Sequence, residues 1–394
     1  MDFINNLFII FCYFLAIPTL VFSLQVFLAS AKRKPKEKSV TSSSRVTVLV
    51  PAHNEELIIA NTLPAIISQL KSNDMLLVVA DNCTDNTSSI AESCGAKVIE
   101  RKDDKQRGKG YALDFGLQFI AENDPPEIVI IIDADCSLSS DCIEILAQRA
   151  KIENKPIQAL DLMKAPKNKS ITQEIAEFAW VVKNQVRPLG LMHLGLPCQL
   201  MGTGMAFPWQ LLSQANLAHG NMVEDMKLGI DLAVQGFTTT FCPEARVTSE
   251  FPVSQQVASA QRTRWEHGHL SMIFAETPRL LKQAIHKRDM SLLSMALDLS
   301  VPPLSVLGLS LVGMLSIALC LAFFSVYLIP AIFMTSLSGI FAVAVFTAWY
   351  RFGREIVAFK TLCAVPLYIL HKIPLYFSFL IKRQQDWVKT ERRR

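Results

Sequence analysis

The sequence lacks the features that point to several common kinds of protein. Its nine cysteines include no CxxC pair, and two of them, Cys12 and Cys320, lie in hydrophobic stretches. Zinc sites and disulfide frameworks depend on regularly spaced cysteines, so we expect neither, and reduced thiols fit better. A net charge of +4 is too small to indicate a nucleic-acid partner.

Charge is also missing from two long stretches of the chain. Residues 1–31 contain no lysine or arginine and a single acid, Asp2, while residues 299–350 contain no charged residue. The whole chain is 51% hydrophobic and 19% charged, with a positive mean hydropathy. A soluble enzyme usually carries more charge than this. The uneven distribution therefore predicts membrane segments rather than an unusually apolar core.

The first apolar run, residues 4–28, is long enough to cross a bilayer, which takes about 20 apolar residues. A cleaved signal peptide is the alternative, because residues 29–31 resemble a cleavage site. Signal peptides carry positive charge before the apolar run, whereas here the basic cluster 32–36 follows it. Since basic flanks stay in the cytoplasm, the chain is expected to be anchored with everything after residue 32 cytoplasmic.

The C-terminal part contains two further apolar segments, 304–324 and 326–350, which predict a tight hairpin through the bilayer. A third segment, 357–381, is interrupted by Lys360 and Pro366. We expect it to lie in the membrane interface or to re-enter, because such segments need cover at membrane depth. The predicted organisation is an anchor 1–31, a basic linker 32–44, a cytoplasmic catalytic domain 45–290, a membrane region 291–381 and a basic cytoplasmic tail 382–394.

Between the membrane segments the sequence alternates strand-like and helix-like stretches. Apolar runs that predict strands lie at 46–50, 75–80, 98–99 and 128–132, with helical patterns between them. Continuous Ile and Val runs of this kind predict an α/β fold with a buried, mainly parallel sheet. Ligands of such sheets bind at the carboxyl ends of the strands. The polar residues that follow each strand are therefore the candidates for a binding site.

Three of the predicted strands are followed, directly or within five residues, by acidic residues. Asp133 and Asp135 follow the apolar run 128–132, Asp81 follows the second strand, and Glu55 follows the first. Two carboxylates one residue apart can hold Mg²⁺ or Mn²⁺ together with substrate phosphates. A helix cap or solvated turn is the alternative, since Asp and Asn often begin helices. Their convergence on one rim of the sheet favours a site.

Five short motifs occur in order between residues 45 and 269, namely Pro51-x-x-Asn54-Glu55, Asp81, Asp133-x-Asp135, Glu224-Asp225 and Gln261-x-x-Arg264-Trp265. With this set the chain resembles the family 2 glycosyltransferases of the GT-A fold, the group of the cellulose, hyaluronan and poly-N-acetylglucosamine synthases. The resemblance implies a GT-A type nucleotide-sugar-binding domain with a mainly parallel sheet, plus N- and C-terminal transmembrane helices. It also implies an inverting glycosyltransferase that uses a UDP-sugar and Mg²⁺ or Mn²⁺.

The same resemblance implies a role for each motif residue. The UDP-sugar donor would be bound by Pro51, Asn54, Glu55, Asp81, Lys109, Asp133, Gln261 and Arg264. Asp133 and Asp135 would hold the metal. Asp225 would act as general base with Glu224 as the next candidate, and Thr203 and Trp265 would face the acceptor.

Each assignment also has a purely structural interpretation. Glu224 and Asp225 suit the first turn of a helix, whose dipole favours acids. Arg264 suits an amphipathic helix at a membrane surface, and a basic glycine loop such as 107–110 is usually only solvated. The complete ordered set of motifs favours function.

We therefore expect an integral membrane protein of the inner or plasma membrane that transfers a sugar to a polysaccharide or glycan acceptor, with export or accessory subunits as compatible partners and no nucleic acid. Two departures from the family pattern leave processivity open: His53 stands where Tyr is common, and only about two confident spans follow Trp265. The alternatives are single-sugar transfer to a lipid acceptor, as in the ceramide glucosyltransferases, a non-catalytic sugar-nucleotide sensor, and a nucleotidyltransferase.

Overall fold

The structure is a computed structural model that describes residues 2–31, 44–166, 168–218, 223–252, 254–325, 328–370, 372–374 and 376. It divides into two compact units. The first, the α/β unit, comprises the described residues within 34–166 and 197–261. The second, the helical unit, comprises those within 1–33, 167–196 and 262–384. The predicted domain limits at 45, 290 and 381 stay predictions.

The α/β unit is built on a sheet whose eight strands all lie in the described residues. In chain order they are β1 Val46–Ala52, β2 Met75–Asp81, β3 Lys97–Arg101, β4 Ile128–Ile131, β5 Ser137–Leu138, β6 Ile157–Lys164, β7 Met205–Pro208 and β8 Thr240–Glu250. Across the sheet the order is β3-β2-β1-β4-β7-β6-β8-β5. The first four of these are parallel, as are β6 and β8, whereas β7 is antiparallel to both neighbours and β5 to β8. The predicted α/β class with a mainly parallel sheet is confirmed.

The helices are distributed over both units. In chain order, the α-helices of the described chain are α1 Asp2–Ser30, α2 Ile59–Ile67, α3 Thr87–Ser93, α4 Lys109–Glu122, α5 Cys142–Glu153, α6 Ile171–Val181, α7 Arg187–His193, α8 Trp209–Leu212, α9 Glu224–Val234, α10 Gln255–Lys287, α11 Met290–Leu299, α12 Leu304–Ser325, α13 Leu328–Ala348 and α14 Phe359–Leu370. Short π-helical segments, Val182–Val186 and Trp349–Gly353, follow α6 and α13.

The parallel strands are buried on both faces, which explains their unbroken apolar sequences. On one face Val48 and Ile130 pack in a cluster with Leu63 of α2. On the opposite face Leu49 and Leu113, the latter from α4, belong to a second cluster. Because successive strand residues point to opposite faces, every position of β4 must be apolar. Each fully buried side chain of this kind contributes about 1.5–3 kcal/mol.

Three helices of the helical unit are long and apolar enough to cross a membrane: Phe8–Ser30, Leu304–Phe324 and Leu328–Gly353. They coincide with the three predicted apolar segments, one near the N-terminus and two in the C-terminal part. Within the unit α12 and α13 pack against one another. The predicted interfacial segment 357–381 contains α14, but much of its second half and the tail 382–394 lie outside the described residues.

A buried polar network joins three helices of the helical unit. Arg187 of α7 donates from Nη2 to Asp298 Oδ1 over 2.8 Å and from Nε to Gln25 Oε1 over 3.0 Å. Gln25 of α1 in turn donates from Nε2 to the same carboxylate oxygen over 2.8 Å. Gly190 permits this approach, because a Cβ there would lie 2.1 Å from the Gln25 carbonyl oxygen. The charge of Arg187 is thus balanced by Asp298, and Gln25 hydrogen-bonds to both, inside the helical unit.

Candidate active site

The carboxyl ends of β1, β2 and β4 lie at one edge of the sheet, because these strands are adjacent and parallel. Asn54 follows β1, Asp81 ends β2, and Asp133 and Asp135 follow β4. Asn54 turns the chain out of β1 with a φ of 54°, a left-handed conformation that asparagine adopts more readily than most residues. The fold therefore delivers polar groups from three strands to the same place.

A cavity of about 480 Å³ opens at this edge of the α/β unit. Its volume lies in the usual range of small-molecule sites, roughly 300–1,000 Å³. The lining residues come from the segments after β1, β2 and β3, and they are His53, Asn54, Asp81, Asn82, Cys83, Thr84, Lys102, Asp103, Asp104, Arg107 and Gly108. Of the predicted donor-binding residues, Asn54 and Asp81 are among them.

Asp81 is fixed in the wall of this cavity by three neighbours. Arg101 at the end of β3 donates from Nη1 to Asp81 Oδ1 over 2.8 Å, and Asn82 Nδ2 donates to the same oxygen over 3.1 Å. His53 Nδ1 hydrogen-bonds with the Asp81 carbonyl oxygen over 2.7 Å. The side chains of Asp81 and Arg101 are both buried. A buried pair of this kind holds its carboxylate in one orientation, and removing either partner would leave an uncompensated charge.

Lys109, the first residue of α4, connects the acidic pair to a neighbouring loop. Its Nζ forms an ion pair with Asp133 Oδ1 and donates to the Gly202 carbonyl oxygen over 2.8 Å. The backbone N–H of Asp133 donates to Thr203 Oγ1 over 3.0 Å. Burial alone would lower the pKa of Lys109, but the carboxylates of Asp133, Glu224 and Asp225 raise it, so the ammonium group stays charged. The segment 201–204, called the acceptor loop after its predicted role, is thereby tied to the end of β4.

Glu224 and Asp225 open α9, where the helix dipole favours acids. Asp225 lies against Gly202, since a Cβ at that glycine would be 3.3 Å from Asp225 Oδ2 and 3.8 Å from Lys109 Nζ. Gly202 has a φ of 97°, a backbone conformation that residues with a side chain rarely adopt. As a glycine it places no side chain of its own between Lys109 and Asp225. Burial and the charge of Asp225 raise the pKa of Glu224 to about 7, partly opposed by Lys109.

The acidic pair has the donor set that a divalent cation uses beside phosphates. Asp133 and Asp135 are half-buried at the edge of the sheet, whereas Ala134 between them is buried. Among the described residues no three His, Cys, Asp or Glu side chains group closely enough to hold a metal by themselves. Mg²⁺ and Mn²⁺ need only one or two carboxylates when substrate phosphates complete the coordination. The residues present therefore fit such an ion.

The remaining motif residues lie on α10. Gln261 falls in the α/β unit, whereas Arg264 and Trp265 fall in the helical unit. Within the helical unit the Trp265 ring packs on Trp180 with 4.9 Å between centroids and 49° between planes. Lys183 Nζ lies 5.5 Å from the Trp180 ring centroid, within cation–π range. The acceptor role of Trp265 and the donor roles of Gln261 and Arg264 stay predictions.

Three other predicted residues have visible structural contacts. Pro51 lies within β1, and the Glu55 N–H donates to Thr87 Oγ1 over 2.8 Å. Thr203 is 5% exposed, and its hydroxyl oxygen accepts the Asp133 N–H, so it supports the acidic pair from inside the unit. Their predicted roles in donor or acceptor binding also stay predictions.

Sequence reasoning missed two residues of this site, Arg101 and Gln158. Arg101 ends an edge strand that the sequence marked only at 98–99, so its pairing with Asp81 was not visible. Gln158 is fully buried in β6 and bonds to the backbone of Met201 and Thr203. A glutamine between the apolar residues Ile157 and Ala159 was the available signal.

Comparison with known proteins gives the family of this chain. A family model described as Glycosyltransferase like family 2 matches residues 44–268, which is more than half of the chain. The chain belongs to this family. The matched region contains the whole sheet and the acids of the candidate site, Asp81, Asp133, Asp135, Glu224 and Asp225.

Two curated relatives are similar to it. The probable glycosyltransferase YdaM of Bacillus subtilis (strain 168) is 26% identical over 240 residues, covering 57% of this chain and 55% of YdaM. The 4,4'-diaponeurosporenoate glycosyltransferase of Staphylococcus aureus (strain USA300) is 32% identical over 114 residues, covering 28% of this chain and 29% of that protein. The chain thus spans about half, or less, of the length of these relatives.

Solved structures with a similar chain path include two glycosyltransferases. The mannosyltransferase PcManGT from Pyrobaculum calidifontis, in complex with GDP-Man and Mn²⁺, has a TM-score of 0.48 at 16% identity, covering 84% of this chain and 94% of that one. The glucosyl-3-phosphoglycerate synthase of Mycobacterium tuberculosis, in complex with Mg²⁺ and UDP, has a TM-score of 0.35 at 21% identity, covering 52% and 70%.

Proposed function

We propose that this glycosyltransferase transfers a sugar from a UDP-sugar, with inversion, to a glycan acceptor at a membrane, using Mg²⁺ or Mn²⁺. The observation that supports this most directly is the grouping of three features at one sheet edge. They are the cavity walled by Asp81, the pair Asp133 and Asp135, and the acids that open α9. The residues proposed to contact the donor's uracil ring, to bind the metal and to accept the proton then all belong to the α/β unit.

The cavity at Asp81 suits the uracil base of the donor. Arg101 and Asn82 both donate to Asp81 Oδ1, which leaves Oδ2 as an acceptor for the N3–H of a uracil ring. Asn54 lies in the same wall. Pro51 at the end of β1 and Glu55 just after it, with Gln261 of α10, complete the donor set proposed for this unit. Guanidinium geometry matches that of the diphosphate, which is the role proposed for Arg264.

Asp133 and Asp135 would hold the divalent cation. When bound, that cation neutralises the charge of the departing diphosphate. Lys109 adds a fixed positive charge beside Asp133 at the start of α4, where backbone N–H groups also favour phosphate. The positive groups thus surround the phosphate end of the donor.

Asp225 would accept the proton of the attacking hydroxyl. The acceptor can approach it past Gly202, because a glycine there presents no side chain. Glu224 is the next candidate, since its pKa of about 7 is close to the value that favours general-base catalysis near neutrality. A base opposite the leaving group is what inversion requires.

The membrane setting of the reaction is proposed from the three apolar helices. The basic cluster 32–36 favours a cytoplasmic catalytic unit in the inner or plasma membrane. A protease-accessible or fluorescent reporter inserted at residue 36 should therefore report the cytoplasmic side. A reporter that reads outside would contradict this orientation.

Single-sugar transfer to a lipid or other small acceptor is the second candidate. It is favoured by one of the relatives, whose name gives 4,4'-diaponeurosporenoate rather than a polysaccharide. A non-catalytic sugar-nucleotide sensor has less support, because the sequence keeps every acid that the family resemblance predicts for a working site. Accessory or export subunits would go with the polysaccharide alternative only.

The deciding experiment is a UDP-release assay on the detergent-solubilised full chain with a panel of UDP-sugars and either Mg²⁺ or Mn²⁺. Release from at least one UDP-sugar, lost in Asp135→Ala, is the expected result. Release from a GDP-sugar instead would contradict the donor assignment. The labelled product then separates the two acceptors, since a ladder on a gel indicates polymerisation and a single glycolipid spot indicates one transfer.

A further inference from the structure

The acceptor loop, residues 201–204, has little regular structure of its own yet supplies contacts to two parts of the site. Gly202 meets Lys109 and lies against Asp225, and Thr203 meets the backbone of Asp133. The position of this loop therefore affects both the metal-binding pair and the candidate base. What holds the loop in place is a buried side chain on a neighbouring strand.

That side chain is Gln158, the second residue of β6, which is completely buried. Its Oε1 accepts the Met201 N–H over 2.8 Å. Its Nε2 donates to the Thr203 carbonyl oxygen over 2.9 Å and to the Ala159 carbonyl oxygen over 2.9 Å. Both donor hydrogens and the acceptor oxygen of the amide are used, as a buried amide requires.

The side-chain amide of Gln158 continues the hydrogen bonding between β6 and β7 into the acceptor loop. β7 pairs with β6 only at Ala206 and Met205, and one more backbone bond runs from the Ala159 N–H to the Gly204 carbonyl oxygen over 2.8 Å. Beyond that point the Met201 N–H and the Thr203 carbonyl oxygen bond to the side chain of Gln158, and the Gly202 carbonyl oxygen accepts from Lys109. The side chain of one glutamine thus makes two hydrogen bonds to the loop backbone where the β6–β7 pairing has ended.

The neighbouring glycines leave the loop few alternatives. Gly204 has a φ of 64°, and a Cβ there would lie 2.8 Å from Ala159 Cβ. The loop therefore packs closely against β6 at Gly204 and is bonded to Gln158 at Met201 and Thr203. A change in Gln158 would be transmitted through Thr203 to Asp133 and through Gly202 to the Asp225 side.

We propose that Gln158 is a positioning residue for glycosyl transfer: its amide fixes the acceptor loop, which sets Asp133 relative to Asp225 without touching donor or acceptor. This inference rests on the proposed function of the surrounding acids. A displacement of about 1 Å at such a site can cost roughly 10²-fold in rate, so the effect of losing the amide should be measurable.

The chain offers a matched control in Gln69 of the same unit. Gln69 Nε2 donates to the Ser139 carbonyl oxygen over 3.1 Å, and its Oε1 accepts the Ile143 N–H over 3.2 Å. It thus joins two backbone groups in the manner of Gln158, but in a segment without candidate site residues. Methionine at either position keeps the length of the side chain and removes its hydrogen bonds.

The test compares Gln158→Met with Gln69→Met in the full-length detergent-solubilised chain. Amide hydrogen exchange should accelerate at residues 200–206 in the first variant and at 139–143 in the second. In Gln158→Met kcat should fall by roughly 10²-fold. The Kd for UDP measured in EDTA should stay within about twofold of wild type, because Asp81, proposed to bind the uracil ring, lies away from the loop. Gln69→Met should keep kcat within about twofold.

Unchanged exchange at 200–206, or faster exchange with normal kcat, would overturn the proposal, as would a loss of UDP binding in EDTA in step with rate. If Gln158→Met does not fold, Gln158→Glu decides the question. Its carboxylate can accept from Met201 but meets two carbonyl oxygens on its other side, so its activity relative to wild type should rise as the pH falls and the carboxyl gains a proton. A ratio independent of pH would overturn the proposal.

Failure of the proposed function would look different. A wild-type chain that releases no UDP from any UDP-sugar contradicts the donor assignment, whatever the variants do. The hydrogen-exchange comparison does not depend on turnover, so it still determines whether Gln158 fixes the acceptor loop.

Discussion

Each unit of the molecule contains a cluster of buried or half-buried charge, and the two clusters differ in their balance. In the helical unit, one arginine, Arg187, pairs with one aspartate, Asp298, and the neutral Gln25 hydrogen-bonds to both side chains. In the α/β unit, Lys109 stands among four acids, which are Asp133, Asp135, Glu224 and Asp225. The first cluster is complete by itself, and the second carries an excess of negative charge.

We interpret the balanced cluster of the helical unit as structural and the acidic cluster of the α/β unit as functional. A balanced, hydrogen-bonded pair can join helices without any ligand, although it is costly if one partner is removed. An excess of carboxylates at the open edge of a sheet attracts a cation and the phosphates that accompany it. Substitutions in the acidic cluster should therefore change turnover, whereas those in the helical cluster should change stability.

The largest effect is expected from removing the metal-binding acid. Asp135→Ala should abolish turnover, and EDTA should do the same reversibly, because a Lewis acid at a departing diphosphate supplies several kcal/mol. UDP release measured with and without EDTA checks this. The melting temperature should hold or rise, since one of several neighbouring negative charges is gone. Full activity in EDTA would contradict the assignment of Asp133 and Asp135.

A change at the candidate base should be nearly as large. Asp225→Asn keeps the shape of the side chain but cannot take a proton, so kcat should fall by roughly 10²–10⁴-fold. UDP affinity should change little, because the uracil ring is proposed to bind in the cavity walled by Asp81, which Asp225 does not line. Calorimetry with UDP beside initial rates provides the measurement.

Glu224→Gln is the control for this prediction. If Asp225→Asn turns over normally while Glu224→Gln does not, the roles of the two acids are exchanged. If both variants lose UDP binding in step with rate, neither acid is the base.

In the helical unit the expected effect is on stability. Arg187→Met leaves Asp298 buried with only Gln25 beside it, which should cost about 3–5 kcal/mol. The double variant Arg187→Met/Asp298→Leu should recover most of that loss, because both charges are then absent. Thermal denaturation in detergent measures this cycle.

The half-exposed pair Lys71–Glu144 is the control for that cycle. Its atoms lie 3.3 Å apart with side chains 50% and 45% exposed, so Lys71→Met should cost no more than about 1 kcal/mol. Equal losses for Lys71→Met and Arg187→Met would remove the distinction between a surface pair and the buried network.

The smallest effect concerns pH and Glu224. Burial raises the pKa of this carboxyl from 4.5 to about 7, so the folded chain keeps a proton that the unfolded chain releases. Its contribution to stability is therefore most favourable below pH 4.5 and is lost as the pH rises toward 7. Relative to wild type, Glu224→Gln should gain about 1–3 kcal/mol across that window. Metal-free urea denaturation at both ends of the window is the measurement, and parallel profiles would contradict it.

Much of the fold could be predicted from the sequence because the signals are local. The unbroken run at β4 requires burial on both faces, and the long charge-free stretches at α12 and α13 match the length of a bilayer. The acids after β1, β2 and β4 could be placed at one edge, since parallel neighbours end on the same side. Their order along the chain also carried the family resemblance.

The antiparallel half of the sheet was not predictable in this way. β7 inserts between β4 and β6 although about 70 residues separate it from β4, so no local pattern announces the pairing. The same insertion brings the acceptor loop beside Asp133. Polar residues with long-range partners, such as Arg101 and Gln158, carry no sequence signal of what they bind.

The sequence by itself thus determined the class of sheet, the apolar helices and the identity of the acidic residues, because each depends on composition and spacing over a few residues. Only the tertiary structure decided that Lys109 pairs with Asp133, that Gly202 lies against Asp225, and that Gln158 holds the loop between them. The physical reason is that these contacts join residues distant in the chain, and their geometry exists only once β7 has entered the sheet.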